Sequence, residues 1–266
     1  MMRLRLTPAQ VFWWIVFILG VLYFFLPLLA TFLFSMRSQP LFSAYTDTLT
    51  RGDFWSSLGY SFVIGVITIV ISVTLVMPTA FWVRLRVPRA RPFVEFVTLL
   101  PFVIPPVVIV FGLLSIYANK PISLTTVPYG SDLLLVGAYT MLSLPYMYRS
   151  IDAGLRAIDI NTLTEAAQSM GAGWARILVQ IILPNLRVSI LSGAFLTLAI
   201  VVGEFTIAAY LARPAFGPFI ALIGRNEAYT PAAVSIVSFG LTWLAMGLIA
   251  FLGRGSRTRV RVAGAH

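Results

Sequence analysis

The sequence of 266 residues contains no cysteine, one histidine at its last position and one lysine, Lys120. The absence of cysteine excludes disulfide bonds, thiolate catalysis and cysteine-bound metals. The single histidine argues against a Ser-His catalytic triad and against a histidine metal site. A phosphate-binding P-loop requires a lysine directly after a glycine. Because Lys120 stands between Asn119 and Pro121, the chain cannot hydrolyse ATP by that mechanism.

Charged residues are scarce as well. They make up 11% of the chain, whereas 59% of the residues are hydrophobic and the mean hydropathy is +0.93. Soluble domains contain roughly 25% charged residues, so the composition predicts an integral membrane protein. The sequence shows no internal repeat and no low-complexity segment. We therefore expect residues 1–266 to form a single transmembrane domain.

Six long stretches with few or no charges predict six transmembrane helices. About 20 residues suffice to cross the hydrocarbon core of a bilayer. The first stretch is longer than the ~7–15-residue apolar part of a secretory signal, so we expect it to remain as a membrane helix. The fourth is the weakest, although a helix that continues through Pro145 would lengthen it. The predicted spans are residues 11–34, 58–83, 96–117, 133–150, 188–211 and 231–252.

Arginine and lysine are distributed unequally between the two sides of this predicted topology. The side that holds both termini carries 14 of them, and the opposite side carries 5. Positive residues favour the cytoplasmic side of a membrane. Both termini and the polar segment 151–187 are therefore expected to face the cytoplasm.

The segment 151–187 contains several helix signals. Thr162 and Glu165 have the spacing of a capping box that would start a helix. Gly171 and Gly173 allow a turn without a Cβ penalty, and Pro184 is expected to end a second helix. Apolar residues recur at helical spacing and predict a face that docks into a groove of another protein. These residues are Leu163, Ala167, Met170, Trp174, Ile177 and Ile181.

The same segment carries a motif of fixed spacing: Glu-Ala-Ala, three residues, Gly, nine residues, Ile, one residue, Leu-Pro. It resembles the cytoplasmic EAA loop of ABC importer permeases. The alternative interpretation is an ordinary amphipathic helix that packs on its own subunit. The residues that match the motif are Glu165, Ala166, Ala167, Gly171, Ile181, Leu183 and Pro184.

The resemblance implies an all-α integral membrane fold, namely a six-transmembrane-helix permease of the type I ABC importers in a bacterial inner membrane. In that family the EAA loop, here residues 151–187 and called the coupling segment below, docks on an ATP-binding subunit. By resemblance, Glu165 would begin the docking helix and Gly171 would make its turn. We expect Met170 and Trp174 to be its apolar knobs.

The resemblance also implies partners. Six helices form half of a translocation pathway in this family, so a second, related permease is expected, most simply in a heterodimer. Two ATP-binding subunits and an extracytoplasmic substrate-binding protein complete the expected assembly. The chain itself would be a transport subunit and not an enzyme. ATP and Mg²⁺ would bind at the partner ATPase subunits, and this chain would bind no cofactor.

Glu204 is the candidate for contact with substrate. It lies in the fifth predicted span, and a carboxylate within hydrocarbon is a functional candidate because its burial is costly. Thr197 is expected on the same helical face, and Thr206 follows closely. One reading places Glu204 where a cationic solute enters from outside. The other is a structural hydrogen bond or an ion pair with Arg213 or Arg225.

Prolines and tyrosines extend this candidate path. Pro105, with Pro101 and Pro106, should interrupt the third predicted helix. Broken helices often line translocation sites, but a kink that serves packing is an equal alternative. Three tyrosines of the fourth predicted span, Tyr139, Tyr146 and Tyr148, could stack against a cation, although aromatic residues near span ends are commonly interface anchors.

The substrate is expected to be a polyamine or a similar small cation. The stretches Leu100–Pro106 and Gly203–Ile207 are similar to those of the second permease of spermidine/putrescine-type ABC importers. Ferric ion, thiamine, phosphonates and oxyanions are alternatives, because their permeases share the scaffold. An ion-coupled secondary transporter would need several intramembrane ionisable groups, and the predicted spans hold one carboxylate, Glu204. An intramembrane enzyme is disfavoured because the spans contain no paired carboxylates.

Overall fold

The computed structural model of the protein describes residues 7–118 and 123–253. Arg3, Arg5, Lys120 and the basic tail from Arg254, all used in the charge count above, lie outside the described residues. Within them, all regular secondary structure is helical. The helices are α1 (Pro8–Ser35), α2 (Ser43–Thr50), α3 (Gly52–Leu85), α4 (Arg91–Val103), α5 (Pro106–Tyr117), α6 (Gly130–Arg156), α7 (Ile160–Ser169), α8 (Trp174–Arg176), α9 (Leu183–Asn185), α10 (Arg187–Gly203), α11 (Thr206–Tyr210), α12 (Phe216–Asn226) and α13 (Thr230–Gly253), with a π-helical stretch at Ile177–Ile182.

The chain divides into two compact units, of which the first combines Met1–Phe54 with Ile220–Leu241. Its first helix, α1, begins with a capping box in which Thr7 accepts from the Gln10 amide and the Gln10 side chain accepts from the Thr7 amide. Near the end of α1, Phe34 contacts the ring of Tyr229 with ring centroids 5.1 Å apart. The first unit is thus held by contacts between its two sequence segments.

The second unit combines Trp55–Phe219 with Thr242–His266 and contains the coupling segment. Glycines allow its helices to approach closely. A Cβ added at Gly193 of α10 would lie 2.7 Å from the sulfur of Met147 on α6. A Cβ added at Gly65 of α3 would lie 2.7 Å from a methyl group of Leu198. Helices α3, α6 and α10 therefore pack at distances that only small residues permit.

Two apolar clusters form the core of the second unit. One joins α3, α6 and the coupling segment, with Phe81, Ile151 and Ile177 fully buried. The other joins α5, α6, α10 and α11 around residues that include Tyr139 and Ile207. One of the two apolar clusters therefore packs the coupling segment against the helix bundle.

By length and composition, α1 and α3 could each cross a membrane. Two bent pairs bring the number of such spans to four if each pair counts as one. These pairs are Pro88–Val103 with Pro106–Tyr117, bent by 96°, and Trp174–Asn185 with Arg187–Gly203, bent by 77°. The count of six spans stays a prediction.

The helix break in the third predicted span is confirmed. Ile104 has extended dihedral angles (φ −90°, ψ 116°) between α4 and α5, as expected for a residue that precedes proline. Pro105 and Pro106 then start α5, where a missing amide hydrogen costs little. By contrast, α6 continues through Pro145 to Arg156, so the fourth helix is longer than its predicted span.

The prediction of one helix over residues 188–211 is wrong. Helix α10 ends at Gly203, and α11 begins at Thr206. Glu204 is extended (φ −76°, ψ 128°), and its carboxylate accepts hydrogen bonds from amides in the first turn of α11. Gly217 lies against this break, since a Cβ there would come within 2.3 Å of the Glu204 backbone oxygen.

The polar connections also contain more helix than the sequence suggested. The predicted spans leave residues 35–57 and 212–230 as loops. The structure places α2 and the start of α3 in the first and α12 in the second. In α12, Phe216, Phe219 and Ile223 are buried at helical spacing. Their burial stabilises a helix that has Gly217 and Pro218 in its first turn and Pro214 just before it.

Candidate functional site

Helix α7 starts the exposed part of the coupling segment. Asp159 is its N-cap: the Asp159 carboxylate accepts from the Thr162 amide (3.2 Å) and the Thr162 hydroxyl (2.8 Å). These bonds lower the pKa of Asp159 below its usual value. The predicted capping box of Thr162 with Glu165 is wrong, because the helix begins at Ile160 and places Thr162 in its first turn.

The two faces of α7 differ. Thr164 and Ala167 are buried, and Ala167 belongs to the core cluster that includes α3 and α6. Glu165 and Ala166 are exposed, and Met170 just beyond the helix is 78% exposed. The inner face thus packs on its own chain, as the alternative interpretation proposed, while the outer face is available for a partner.

The predicted turn at Gly171 is confirmed. Gly171 has φ +79°, a left-handed conformation that favours glycine. The Ala172 amide donates to the Ala167 carbonyl (3.0 Å), and the Gly171 amide donates to the Gln168 carbonyl (2.9 Å). This is the Schellman pattern of helix ends. Gly173 is extended (φ −76°, ψ 163°), so the turn depends on one glycine rather than two.

Trp174 is not the exposed knob that we expected. Its ring lies 4.8 Å from the ring of Trp82 and 6.4 Å from that of Phe81. The Arg86 guanidinium lies over it at 5.3 Å from the ring centroid. These contacts with α3 and the residues after it attach Trp174 to its own chain. Of the two expected knobs, Met170 alone is exposed.

The end of the motif lies in a helix that is partly π-helical. Ile181 and Leu183 are half-buried and pack against the core, and Pro184 is exposed. The prediction that Pro184 ends this helix is wrong by one residue, since α9 continues to Asn185. Pro184 lies in the first turn of α9 after the π-helical stretch, where it needs no amide donor. The chain then bends by 77° into α10.

A cavity of about 540 Å³ lies at the two helix breaks of the second unit. It brings together Glu204, Tyr146 and Pro105 of the predicted path. Thr197 and Thr206 are not among its lining residues. Thr197 is buried, and its hydroxyl donates to the Gly193 carbonyl (2.9 Å). The cavity is lined by Pro101, Phe102, Val103, Ile104, Pro105, Pro106, Leu142, Tyr146, Ala199, Ile200, Gly203 and Glu204.

Glu204 has both structural bonds and access to the cavity. Its carboxylate accepts from the amides of Ile207 (3.0 Å) and Ala208 (3.3 Å) and from the hydroxyl of Tyr139 (3.1 Å). Among the described residues, Glu204 forms no ion pair with Arg213 or Arg225, the partners that the structural alternative named. Arg213 pairs with Asp132 at 2.8 Å. These donors hold the carboxylate at the cavity wall, and the sequence had not identified Tyr139 as its partner.

Among the described residues that line the cavity, Glu204 carries the one charge, and no arginine, lysine or histidine takes part. Tyr146 adds a half-buried ring, which meets Phe102 edge-on at 5.1 Å between ring centroids. A carboxylate beside aromatic faces is an environment that favours cations.

Comparison with known proteins gives consistent matches. Residues 77–257 match the family described as binding-protein-dependent transport system inner membrane component. The spermidine/putrescine transport system permease protein PotB of Haemophilus influenzae is 24% identical over 281 aligned positions, and the alignment covers 93% of this chain and 92% of that protein. A probable molybdenum ABC transporter permease protein of Haloferax volcanii is 28% identical over 187 residues, 70% of this chain and 67% of that protein.

Solved structures show the same fold. A chain from the crystal structure of an amino acid ABC transporter with histidines has a TM-score of 0.54 and 17% identity, with 76% of this chain and 93% of that chain covered. A chain of the MetNI methionine ABC transporter, in an inward-facing conformation, has a TM-score of 0.52 and 19% identity, with 81% and 95% covered.

Proposed function

We propose a substrate and a mode of coupling from the premise that this chain belongs to the family of binding-protein-dependent transport system inner membrane components. It is a permease subunit of an ABC importer and a multi-pass membrane protein. Permeases of this family lack an ATPase site of their own, and ATP hydrolysis by a partner is the general pattern.

The proposed substrate is a small organic cation of the polyamine type. The observation that carries this proposal is the charge of the cavity, where Glu204 is held by fixed donors and no described basic side chain lines the wall. A carboxylate in a site of low dielectric constant attracts a cation strongly. The relative from Haemophilus influenzae, which is named for spermidine and putrescine, aligns with 93% of this chain and supports the choice.

An oxyanion is the second candidate, favoured by the relative from Haloferax volcanii that is named for molybdenum. An oxyanion in this cavity would meet the Glu204 carboxylate without a described arginine or lysine to neutralise it. Anion sites normally use such cations or free backbone amides. The amides of Ile207 and Ala208, which reach the carboxylate, already donate to Glu204.

The proposed assembly contains this chain, a second related permease, two ATP-binding subunits and an extracytoplasmic binding protein. Both termini face the cytoplasm of a bacterial cell in this proposal, and ATP with Mg²⁺ binds at the ATPase subunits. The outer face of α7, with Glu165, Ala166 and Met170, contacts an ATP-binding subunit. Its exposure supports this role.

The test is uptake by the assembly reconstituted in liposomes with its binding protein. Labelled putrescine, spermidine and molybdate are supplied separately, with ATP enclosed. Uptake of a polyamine but not of molybdate is expected. Uptake of molybdate with no uptake of either polyamine would overturn the proposed substrate and favour the second candidate.

A further inference from the structure

Asp152 is a buried carboxylate that the sequence had not marked. It lies on α6, four residues before the end of that helix, and is 8% exposed. Three guanidinium groups surround it. Arg156 of the same helix lies at 2.6 Å, Arg91 at 3.3 Å and Arg84 at 3.7 Å. Removing one partner of a buried ionic group is costly, so these contacts hold the helices that supply them together.

The three arginines come from different helices. Arg84 is in the last turn of α3, and Arg91 is the first residue of α4. Glu95 of α4 extends the cluster, because it accepts from Arg91 (2.8 Å) and lies 4.0 Å from Arg156. Asp152 therefore joins α3, α4 and α6 at one point.

This point lies next to the start of the coupling segment's exposed part. Helix α7 begins at Ile160, four residues after Arg156, the last residue of α6. A cavity of about 350 Å³ is lined by Arg84, Arg91 and Asp152 together with Ile158–Asn161. A displacement of α7 is thus applied close to the Asp152 cluster.

The same cluster is connected to the cavity that contains Glu204. Helix α4 runs from Arg91 to Val103 and ends at the break whose residues line that cavity. It also touches α6 a second time, through the contact between Phe102 and Tyr146. Helix α4 is therefore held to α6 near both of its ends, by ionic contacts at one and by an aromatic contact at the other.

We propose that Asp152 is a positioning residue for transport, which makes α4 follow helix α7 of the coupling segment so that the cavity wall at Pro105 moves when the ATPase acts. The inference rests on the proposed function. A pair on the other end of α6, Asp132 with Arg213, offers a matched control. It links α6 to the residues after α11 and does not involve α4.

The test uses the complete assembly with Asp152→Asn and, as the control, Asp132→Asn. The measured quantity is the number of substrate molecules taken up per ATP hydrolysed. We expect Asp152→Asn to lower this ratio by about fivefold or more while ATP hydrolysis persists. The ratio of Asp132→Asn should match that of the unchanged assembly. An unchanged ratio in Asp152→Asn would overturn the inference.

A distance measurement separates positioning from simple destabilisation. Since the chain contains no cysteine, Phe93→Cys on α4 and Gln168→Cys on α7 can carry spin labels without other changes to it. Their separation should remain constant between ATP-free and ATP-bound states, and it should change between these states in Asp152→Asn. A constant separation in both proteins would contradict the proposal.

If Asp152→Asn does not assemble, Arg91→Gln is used in its place, because it removes the contact with Asp152 from the α4 side alone. We then expect the same fall in uptake per ATP hydrolysed and the same change in the distance between the spin labels. An unchanged assembly that shows no ATP-driven uptake of any tested solute would contradict the proposed function. An active assembly with an unaffected Asp152→Asn variant would contradict only the role of Asp152.

Discussion

The hydroxyl of Tyr139 on α6 donates a 3.1 Å hydrogen bond to the carboxylate of Glu204, just beyond the end of α10. The amides of Ile207 and Ala208 donate to the same carboxylate. Glu204 therefore joins α6, the end of α10 and the start of α11 while it remains on the cavity wall. One side chain supports both the structural and the substrate-path interpretations of this position.

Variants at these two residues separate the interpretations. Glu204→Gln removes the charge, and we expect it to abolish uptake of a cationic substrate while assembly and ATP hydrolysis persist. Tyr139→Phe keeps the charge and removes one hydrogen bond to a charged group, typically about 1.5–3 kcal/mol, so uptake should persist in a less stable protein. Uptake and thermal unfolding of both variants are the measurements. Equal loss of assembly in the two would favour a purely structural Glu204.

Gly171 and Gly173 form a matched pair. A Cβ would meet no atom within 4 Å at either position, but only Gly171 has positive φ. A side chain at Gly171 costs about 1–2 kcal/mol through backbone strain, so Gly171→Leu should distort the turn. Single substitutions change coupling between sites by about 0.5–2 kcal/mol, so the uptake per ATP hydrolysed should fall roughly two- to thirtyfold.

Gly173→Leu introduces the same side chain into extended backbone and is the control. The assembly that contains Gly173→Leu should transport normally. Equal activity of the two variants, measured as uptake and ATP hydrolysis of the purified assembly, would show that the turn does not depend on left-handed backbone at residue 171.

Substitutions of Met170 and Trp174 should have different effects on stability and on binding of the ATP-binding subunit. Trp174→Ala removes the aromatic contact with Trp82 and the cation–π contact with Arg86, which together are worth about 1–3 kcal/mol. The thermal unfolding temperature should fall. Met170→Ala removes an exposed side chain, so the unfolding temperature should hardly change.

Met170→Ala should instead weaken the binding of the ATP-binding subunit, as measured by its retention during purification. The ATP-binding subunit could instead be fully retained by Met170→Ala and lost from Trp174→Ala at temperatures where that variant stays folded. This result would exchange the roles that we assign to the two residues.

The pH dependence of α7 follows from its N-cap. The pKa of Asp159 is lowered by its bonds to Thr162, whereas the unfolded value is about 3.9. A lowered folded pKa stabilises the helix above the unfolded value, and this contribution is lost as the pH falls through the lower folded value. Hydrogen-exchange protection of the first turn of α7 should therefore decrease below about pH 4.

Asp159→Asn is the control for this measurement, since asparagine is a good N-cap and does not titrate. Its protection factors, corrected for the intrinsic exchange rate, should stay constant over the same range. Parallel decreases in both proteins would assign the acid sensitivity to other groups.

The coupling segment was largely predictable because its signals are local. The spacing from Glu165 to Pro184 identified the motif, and Gly171 marked a turn that is set by its own dihedral angle. The exposure of Met170 and the partial burial of Trp174 could not be told apart from the sequence, because both residues lie on the same predicted apolar stripe. Which of the two packs on α3 depends on a tertiary contact with Trp82.

The cavity was less predictable. The consecutive prolines Pro105 and Pro106 predicted a helix break. Nothing in the otherwise uncharged stretch around Glu204 predicted a second break. That break depends on a carboxylate that caps α11 and on the close approach of Gly217. Asp152 was not predicted as a site residue. Arg84 and Arg91 are distant from it in sequence, and all three of its arginines had been used only to predict which side of the membrane faces the cytoplasm.

The central claim is that a separate ATP-binding subunit drives transport through the coupling segment. The most direct test is uptake by liposomes that contain the permease subunits, with and without the co-purified ATP-binding subunits. The account predicts uptake only when those subunits and enclosed ATP are both present. Uptake driven by a proton or sodium gradient in their absence would contradict it.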